Sequence, residues 1–360
     1  MRELKLMKGN EAIAQAAIRC GADGYFGYPI TPQSEVMETL MAEAPWNTTG
    51  MVVLQAESEI ASINMVYGGG GCGKKVMTSS SSPGVSLMQE GLTYLAGSEV
   101  PCVVVNVVRG GPGLGTIQPA QSDYFQSVKG GGHGDYKLIT LAPASVQEMA
   151  DFVETAFDLA FKYRNPAMIL SDGVIGQMME KVELGEQKPR WTNEYIEEHH
   201  PWATTGKKKG QERRVITSVQ LESSVQEEFN HKLQAKYREI EKNEVLYEKI
   251  MCDDADYLFV AYGSSARICQ KAIEIARSKG IKAGMLRPIT LYPFPVLQLQ
   301  ELAGRVKGML SVEMSAGQMV EDVRLAVNGK IPVEHFGRYG GAIHSPSEVV
   351  DALQQKLIGG

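Results

Sequence analysis

Cysteine is scarce and scattered in this chain. The five cysteines, Cys20, Cys72, Cys102, Cys252 and Cys269, are odd in number and never fall in a Cys-x-x-Cys pair. That spacing excludes a disulfide framework, a structural zinc site and an iron–sulfur cluster built by this chain alone, and leaves small buried hydrophobes as the reading. Long apolar runs are missing too: stretches such as Val103-Val104-Val105 fall far short of the roughly 18 residues that a membrane span needs. The first ten residues lack the apolar stretch of a signal peptide, so the expectation is a cytoplasmic protein without membrane contact. Positive charge is not in excess, since the formal net charge is −6. That gives no electrostatic case for nucleic acid, and the basic cluster of Lys207, Lys208, Lys209, Arg213 and Arg214 reads as a solvated linker. No Gly-x-Gly-x-x-Gly joins the first strand to the first helix, which disfavours a nicotinamide-dependent dehydrogenase.

What is present is enough for a large core. The chain has 360 residues with 43% hydrophobic content, room for two domains or one large one. Residues 1–176 alternate between helical and strand patterns. Asn10 reads as the cap of a helix carrying Ile13, Ala16, Ala17 and Cys20, with Gly21 as its stop. Strands are expected at 24–28, 51–54, 75–78 and 102–108, with helices from Pro32, Glu57, Pro83 and Ser145. The pattern implies βαβ units and a mostly parallel sheet covered on both faces. Residues 177–250 form a polar linker in which no strand pattern is evident, Trp191 and Trp202 stand isolated, and 223–250 reads as one long charged helix. A second, smaller α/β domain follows over 251–360, with strands near 257–261, 282–286 and 308–312 and a last helix over 346–357.

Three groups of residues can carry chemistry, each at the end of an expected strand. The first is Tyr28-Pro29-Ile30-Thr31-Pro32. Threonine followed by proline starts helices, so a cap explains the pair; Pro29 also stiffens the turn, which suits rigid presentation of the Thr31 hydroxyl at the sheet edge. The second is Glu57 and Glu59 in the first turn of a helix, where the macrodipole stabilises any carboxylate. A helical wheel anchored on Ile60, Ile63 and Tyr67 puts both at the margin of the buried face and does not choose between them. The third is Arg109, which ends the most hydrophobic strand and opens a glycine-rich loop. It can grip a carboxylate or phosphate by two hydrogen bonds, or close an internal salt bridge.

Three further stretches are weighed. The run from Gly68 to Lys75 has phosphate-loop spacing, but Lys75 stands where Ser or Thr is required and the loop leads from helix to strand, so that reading is rejected. Thr78 to Gly84 leads from strand to helix and offers hydroxyls and amides to a polar ligand, or forms only a capped turn. His133 lies among glycines in a loop and is a lesser candidate for touching substrate or a partner.

Together these segments resemble the α subunits of the 2-oxoacid:ferredoxin oxidoreductases over nearly the whole chain. The likeness is carried by the order and spacing of Met7 to Ala12, Gly27 to Pro32, Gln55 to Glu59, Met77 to Gly84, Arg109 to Gly113 and Glu313 to Met319. Within the family it is strongest to the subunits acting on 2-oxoisovalerate, a branched-chain 2-oxoacid, and next to those acting on 2-oxoglutarate. The resemblance implies an α/β fold: a pyrimidine-type thiamine-diphosphate-binding parallel-sheet domain plus a smaller transketolase C-terminal-like domain. It implies CoA-dependent oxidative decarboxylation, with ferredoxin as electron acceptor. By the same resemblance Glu59 is the catalytic carboxylate on the aminopyrimidine ring, Pro29, Ile30 and Glu59 bind the cofactor, and Thr31 and Arg109 contact the 2-oxoacid.

The family's Gly-Asp-Gly and Asn-Asn motif is absent, because Asp172-Gly173 follows Ser171 and no Asn-Asn comes after it. The resemblance therefore implies a split enzyme. A β subunit would carry the diphosphate and magnesium site and a [4Fe-4S] cluster, with γ and ferredoxin-like δ subunits beside it and no metal on this chain. A non-catalytic α/β assembly subunit is the alternative of a different class.

Overall fold

The computed structural model describes residues 3–359. Parallel strands buried on both faces read as near-continuous apolar runs, and Val103–Val108, buried along its whole length and interrupted only by Asn106, is the clearest case. It lies in the middle of a seven-stranded sheet whose order is Thr290–Tyr292, Ile139–Leu141, Ala167–Asp172, Val103–Val108, Val76–Ser80, Gly24–Gly27 and Val52–Gln55. Every pairing is parallel except the one between Thr290–Tyr292 and Ile139–Leu141. The carboxyl ends of the parallel strands thus share one edge, the edge at which open α/β sheets bind ligands.

A five-stranded sheet forms the second unit, in the order Val333–Gly337, Gly308–Glu313, Tyr257–Val260, Ala283–Pro288 and Tyr247–Ile250. One apolar core runs through both units, joining Met77, Val105 and Ile169 to Tyr262, Leu286 and Met309. A smaller cluster packs the helices Gly263–Ser278 and Pro346–Leu353 on the outer face of the second sheet. Polar groups tie the units where their strand ends meet. Gln121 donates to the Tyr262 carbonyl at 2.8 Å and accepts from Ser265 Oγ at 2.6 Å and from the Met314 amide at 3.0 Å. Asp172 accepts from Val174 and Ile175 of its own helix and from Ser264 across the boundary, and burial pushes its carboxyl above the usual range.

Several local expectations are corrected. Asn10 does not cap the first helix, Gly9–Arg19; Lys8 holds the cap position, and Asn10 lies buried inside with its amide committed elsewhere. The polar stretch contains a strand, Met179–Leu184, antiparallel to Glu3–Lys8, in which Val182 and Leu184 are buried while Lys181 and Glu183 face out. The charged helix spans Ser223–Asn243 and stops there, because Tyr247–Ile250 joins the second sheet beside Ala283–Pro288. It is docked through buried Leu233, Tyr237 and Ile240, and through Lys232 and Lys236 on the Glu99 carboxylate. Burial pushes Lys236 down to about 8. Trp191 and Trp202 are not isolated: both pack on Phe161, the first edge-on at 4.7 Å between ring centroids. The last helix does span the expected stretch, as Pro346–Leu353 continued by a π-helical segment over Gln354–Ile358. Four of the cysteines are buried and Cys72 is half-buried, all with free thiols.

One buried group gives the fold a pH dependence. His344 is 2% exposed, and neither ring nitrogen has a hydrogen-bond partner. Burial pushes its pKa down to about 4, against the pull of Glu348 and with the help of Arg338. In the unfolded chain it titrates near ~6.5, so between the two values the unfolded state binds a proton that the folded state refuses. Stability is therefore full above about pH 6.5 and declines as pH falls toward 4, by up to about 3 kcal/mol. Chemical unfolding between pH 7.5 and 4.5 is expected to show that loss in the natural protein and a flatter profile in His344→Leu; parallel profiles would contradict it.

Candidate active site

The Tyr28 to Pro32 turn is held by its carbonyls. Arg109 Nη1 donates to the Thr31 carbonyl at 3.0 Å, while Asn10 Nδ2 and Gln177 Nε2 donate to that of Pro32 at 2.7 and 3.0 Å. The Gln33 amide closes a turn on the Ile30 carbonyl at 3.0 Å, and the helix begins only at Ser34. The capping reading of Thr31-Pro32 is thus overturned: side chains from distant parts of the chain take the carbonyls, and the Thr31 side chain is left exposed. A buried chain of hydroxyls and amide supports the turn from below. Tyr25 and Ser79 share a 2.7 Å hydrogen bond, Ser79 donates to Gln33 at 2.5 Å, and Gln33 donates to the Tyr28 carbonyl at 3.2 Å.

The two glutamates separate. Ser58 caps the helix Glu59–Gly71 by accepting from the Ala61 amide at 3.2 Å, which leaves Glu57 outside the helix and exposed. Glu59 is the first helical residue and is only 5% exposed. Its one hydrogen-bond partner among the described residues is Ser80 Oγ, at 3.5 Å, so most of its acceptor capacity is open. Gly84 makes this possible, since a methyl group there would stand 2.1 Å from Ser80 Oγ and 2.4 Å from Glu59 Oε1. Gly84→Ala is accordingly expected to displace the carboxylate and lower turnover by about 10- to 100-fold, at an overpacking cost of about 1–3 kcal/mol in stability; full activity in that variant would show that the carboxylate position is not critical.

Between strand Val76–Ser80 and helix Ser82–Gly97, the serine-rich turn brings unpartnered groups to the same edge. Ser81 holds the cap position but makes no side-chain cap, and its hydroxyl is buried without a partner; the Thr78 hydroxyl, within the strand below, is likewise unpartnered. Ser82 meets Arg109 instead, accepting from its amide at 3.1 Å and donating to its carbonyl at 3.3 Å. Arg109 is 8% exposed; its Nε has no partner, and no ion pair with it occurs among the described residues, so the internal salt bridge is not made. A buried guanidinium with an unpartnered N–H and an open carboxylate, both at the carboxyl-end edge of the sheet, have the chemistry to receive a polar ligand that carries both a donor and an anionic group.

The other stretches do not join this cluster. The glycine run at 68–73 closes the helix Glu59–Gly71 and lets the chain pack tightly: a methyl at Gly73 would stand 2.7 Å from Ile196 and 2.8 Å from Ala203. His133 is exposed in its loop and has no side-chain hydrogen bond among the described residues. Gln33 and Gln177 are positioning residues that sequence reasoning did not single out, while Asn10 was read only as a cap and Ser80 and Gly84 only as part of the serine-rich run. Gly84 carried the only local signal, a glycine in the first turn of a helix.

Comparison with known proteins decides the family. Residues 15–249 match the family described as pyruvate flavodoxin/ferredoxin oxidoreductase, thiamine diphosphate-binding, and residues 255–349 match the pyruvate:ferredoxin oxidoreductase core domain II. The chain belongs to the 2-oxoacid:ferredoxin oxidoreductases. It is 48% identical to the ketoisovalerate oxidoreductase subunit VorB of Methanothermobacter thermautotrophicus, over 98% of this chain and 97% of that one. Among solved structures it superposes on the 2-oxoglutarate:ferredoxin oxidoreductase from Magnetococcus marinus with 2-oxoglutarate, coenzyme A and succinyl-CoA bound. There the TM-score is 0.85 at 27% identity, over 99% of this chain and 66% of that one. A split-gene transketolase shares the fold alone, at a TM-score of 0.59 and 12% identity over 98% of each chain. A thiamine-diphosphate-binding α/β domain followed by a transketolase C-terminal-like domain is thus the architecture of this oxidoreductase subunit, and the sequence expectation of fold and family holds. No helix among the described residues is long and apolar enough to cross a membrane.

Proposed function

We propose that this oxidoreductase subunit carries the pyrimidine half of a thiamine diphosphate site and the carboxylate-binding residue for a branched-chain 2-oxoacid, 2-oxoisovalerate. The observation that carries the reading is that buried polar groups at the carboxyl ends of the parallel strands are left without full protein partners: the Glu59 carboxylate, the Arg109 Nε and the Ser81 hydroxyl. Buried polar atoms without partners are costly unless a ligand satisfies them. An aminopyrimidine, which donates N–H to a carboxylate, and a 2-oxoacid, which offers a carboxylate to a guanidinium, fit this donor and acceptor set.

Glu59 accepts from the aminopyrimidine and exchanges a proton with it at its carboxylate, the contribution of a positioned general acid–base. Pro29 and Ile30 fix the turn beside it. Arg109 presents Nε and Nη to the substrate carboxylate, and Thr31, on the turn whose carbonyl Arg109 holds, faces the same substrate. When bound, thiamine diphosphate supplies the carbon nucleophile and the electron sink for decarboxylation. Coenzyme A takes the acyl group and ferredoxin the electrons.

The open surface next to Glu59 favours a partner chain as the other wall. Ile60 and Met65 on helix Glu59–Gly71, Leu87 on the helix packed against it, and Leu54 on the edge strand are all exposed apolar residues. We assign that wall, with the diphosphate and magnesium site and a [4Fe-4S] cluster, to a β subunit, with γ and ferredoxin-like δ subunits completing a cytoplasmic enzyme. The substrate follows the 48% identity with the ketoisovalerate subunit, which extends over nearly the full length of both chains. The test is turnover of the co-expressed complex with 2-oxoisovalerate, 2-oxoglutarate and pyruvate, using coenzyme A and a viologen acceptor. The highest kcat/KM is expected for 2-oxoisovalerate; preference for 2-oxoglutarate would move the subunit to the other branch, and no turnover with any of the three would leave an assembly role.

A further inference from the structure

The second domain reaches back onto the loop that carries Arg109. After strand Val333–Gly337 the chain passes through residues 338–344 before helix Pro346–Leu353. Gly340 and Gly341 both have left-handed backbone there, with φ of +66° and +96°. A methyl at Gly341 would stand 2.5 Å from Gln118 Cβ and 3.0 Å from Thr116 Cγ2; one at Gly110 would stand 2.8 Å from the same Thr116 carbon and 2.9 Å from the Gly341 amide nitrogen. Two glycine backbones therefore meet across the domain boundary with the Thr116 methyl wedged beside them, an approach that no residue with a Cβ allows.

Gly110 is the residue after Arg109. Its amide donates to the Gln118 carbonyl at 2.9 Å and its carbonyl accepts from the Thr116 amide at 2.8 Å, so the loop from Arg109 to Gln118 moves as one piece. Ser82 holds the Arg109 backbone on one side. The Gly341 contact is a stop on the other. The far end of the second-domain turn is anchored by His344, buried with its ring 5.9 Å from that of Phe336.

We propose that the Gly340-Gly341 turn is a positioning element for 2-oxoacid binding: its contact with Gly110 and Thr116 sets where the Arg109 guanidinium stands over the site. The proposal rests on the reading of Arg109 as the carboxylate-binding residue. Displacement of a binding group by about 1 Å is enough for a rate loss of ten- to a hundredfold, and the second domain thereby acts on the substrate site through its backbone.

The test uses the complete enzyme and compares Gly341→Ala with Gly340→Ala. Both place a methyl on left-handed backbone, but the Gly340 methyl would meet nothing within 4 Å. Gly341→Ala is expected to raise KM for the 2-oxoacid about tenfold, with KM for coenzyme A unchanged, while Gly340→Ala stays within about twofold. Equal effects in the two variants, or a parallel rise in KM for coenzyme A, would overturn the proposal. Arg109→Lys in the same assay separates the two readings. An unchanged 2-oxoacid KM in that variant removes the Arg109 assignment, whereas a raised one together with an inert Gly341→Ala removes only the joint. Should Gly341→Ala fail to assemble, Thr116→Ser carries the test by removing the wedged methyl. A raised 2-oxoacid KM alone supports the joint, and an unchanged one refutes it.

Discussion

Replacing Glu59 by alanine in the assembled enzyme is expected to lower turnover by about two to four orders of magnitude, the range for loss of a positioned proton-transfer group and equivalent to about 3–5 kcal/mol of barrier. Assembly and Tm are expected to change little. The helix start does not depend on this carboxylate, because Ser58 supplies the cap, and its one hydrogen bond among the described residues is the long one from Ser80. Glu59→Gln sharpens the test. It keeps the size and the Ser80 contact and removes only the exchangeable carboxylate proton, so it should be nearly as slow as the alanine variant. Glu57→Gln is the control, since Glu57 is exposed and outside the helix. Near-normal turnover in both Glu59 variants would sink the assignment, and a fall in Tm or in recovery of the complex would point to packing instead.

How much of this was legible in the sequence depends on whether the deciding contact is local. The alternation of buried strands and amphipathic helices was legible, because Val103–Val108 and Ala167–Asp172 are mostly apolar for a reason internal to each strand, burial on both faces. The Thr31-Pro32 turn was misread because capping preferences do not register Arg109, 78 positions away, or Gln177, 145 positions away, on its carbonyls. Strand Met179–Leu184 was hidden by Glu180, Lys181 and Glu183, although its burial alternates at Val182 and Leu184. The charged helix was drawn too long for a related reason: Tyr247–Ile250 alternates in burial, but only its pairing with Met285 to Pro288 makes it a strand. The choice between Glu57 and Glu59 lay within reach. Ser58 is a favoured cap residue, and placing it at the helix start sets Glu57 outside and Glu59 at the first turn. The turn at Gly340 and Gly341 carries no such signal, since its meaning lies in a contact with Gly110 in another domain.

Replacing Arg109 by methionine is expected to lower kcat/KM for the 2-oxoacid by about 10²- to 10³-fold, mostly through KM, the loss appropriate to a charge-assisted contact with a carboxylate. The stability of the protein should move in the opposite direction or not at all. Arg109 is buried, and no carboxylate pairs with it among the described residues, so in the free enzyme it is a desolvated cation held by the Thr31 carbonyl and an exchange of hydrogen bonds at its backbone with Ser82. Removing such a charge in favour of an apolar side chain of similar reach is commonly neutral or stabilising. The substrate carboxylate then completes an ion pair that the fold leaves half-built. Binding to the folded state alone raises Tm, by about 2.7 kcal/mol of added stability at a hundred times Kd. A saturating 2-oxoacid should therefore raise the Tm of the natural enzyme and leave that of Arg109→Met unmoved, a readout that needs no turnover. Arg109→Lys should fall between them, because an ammonium keeps the charge and loses the planar fork. An equal thermal shift in all three proteins would show that the carboxylate is bound elsewhere.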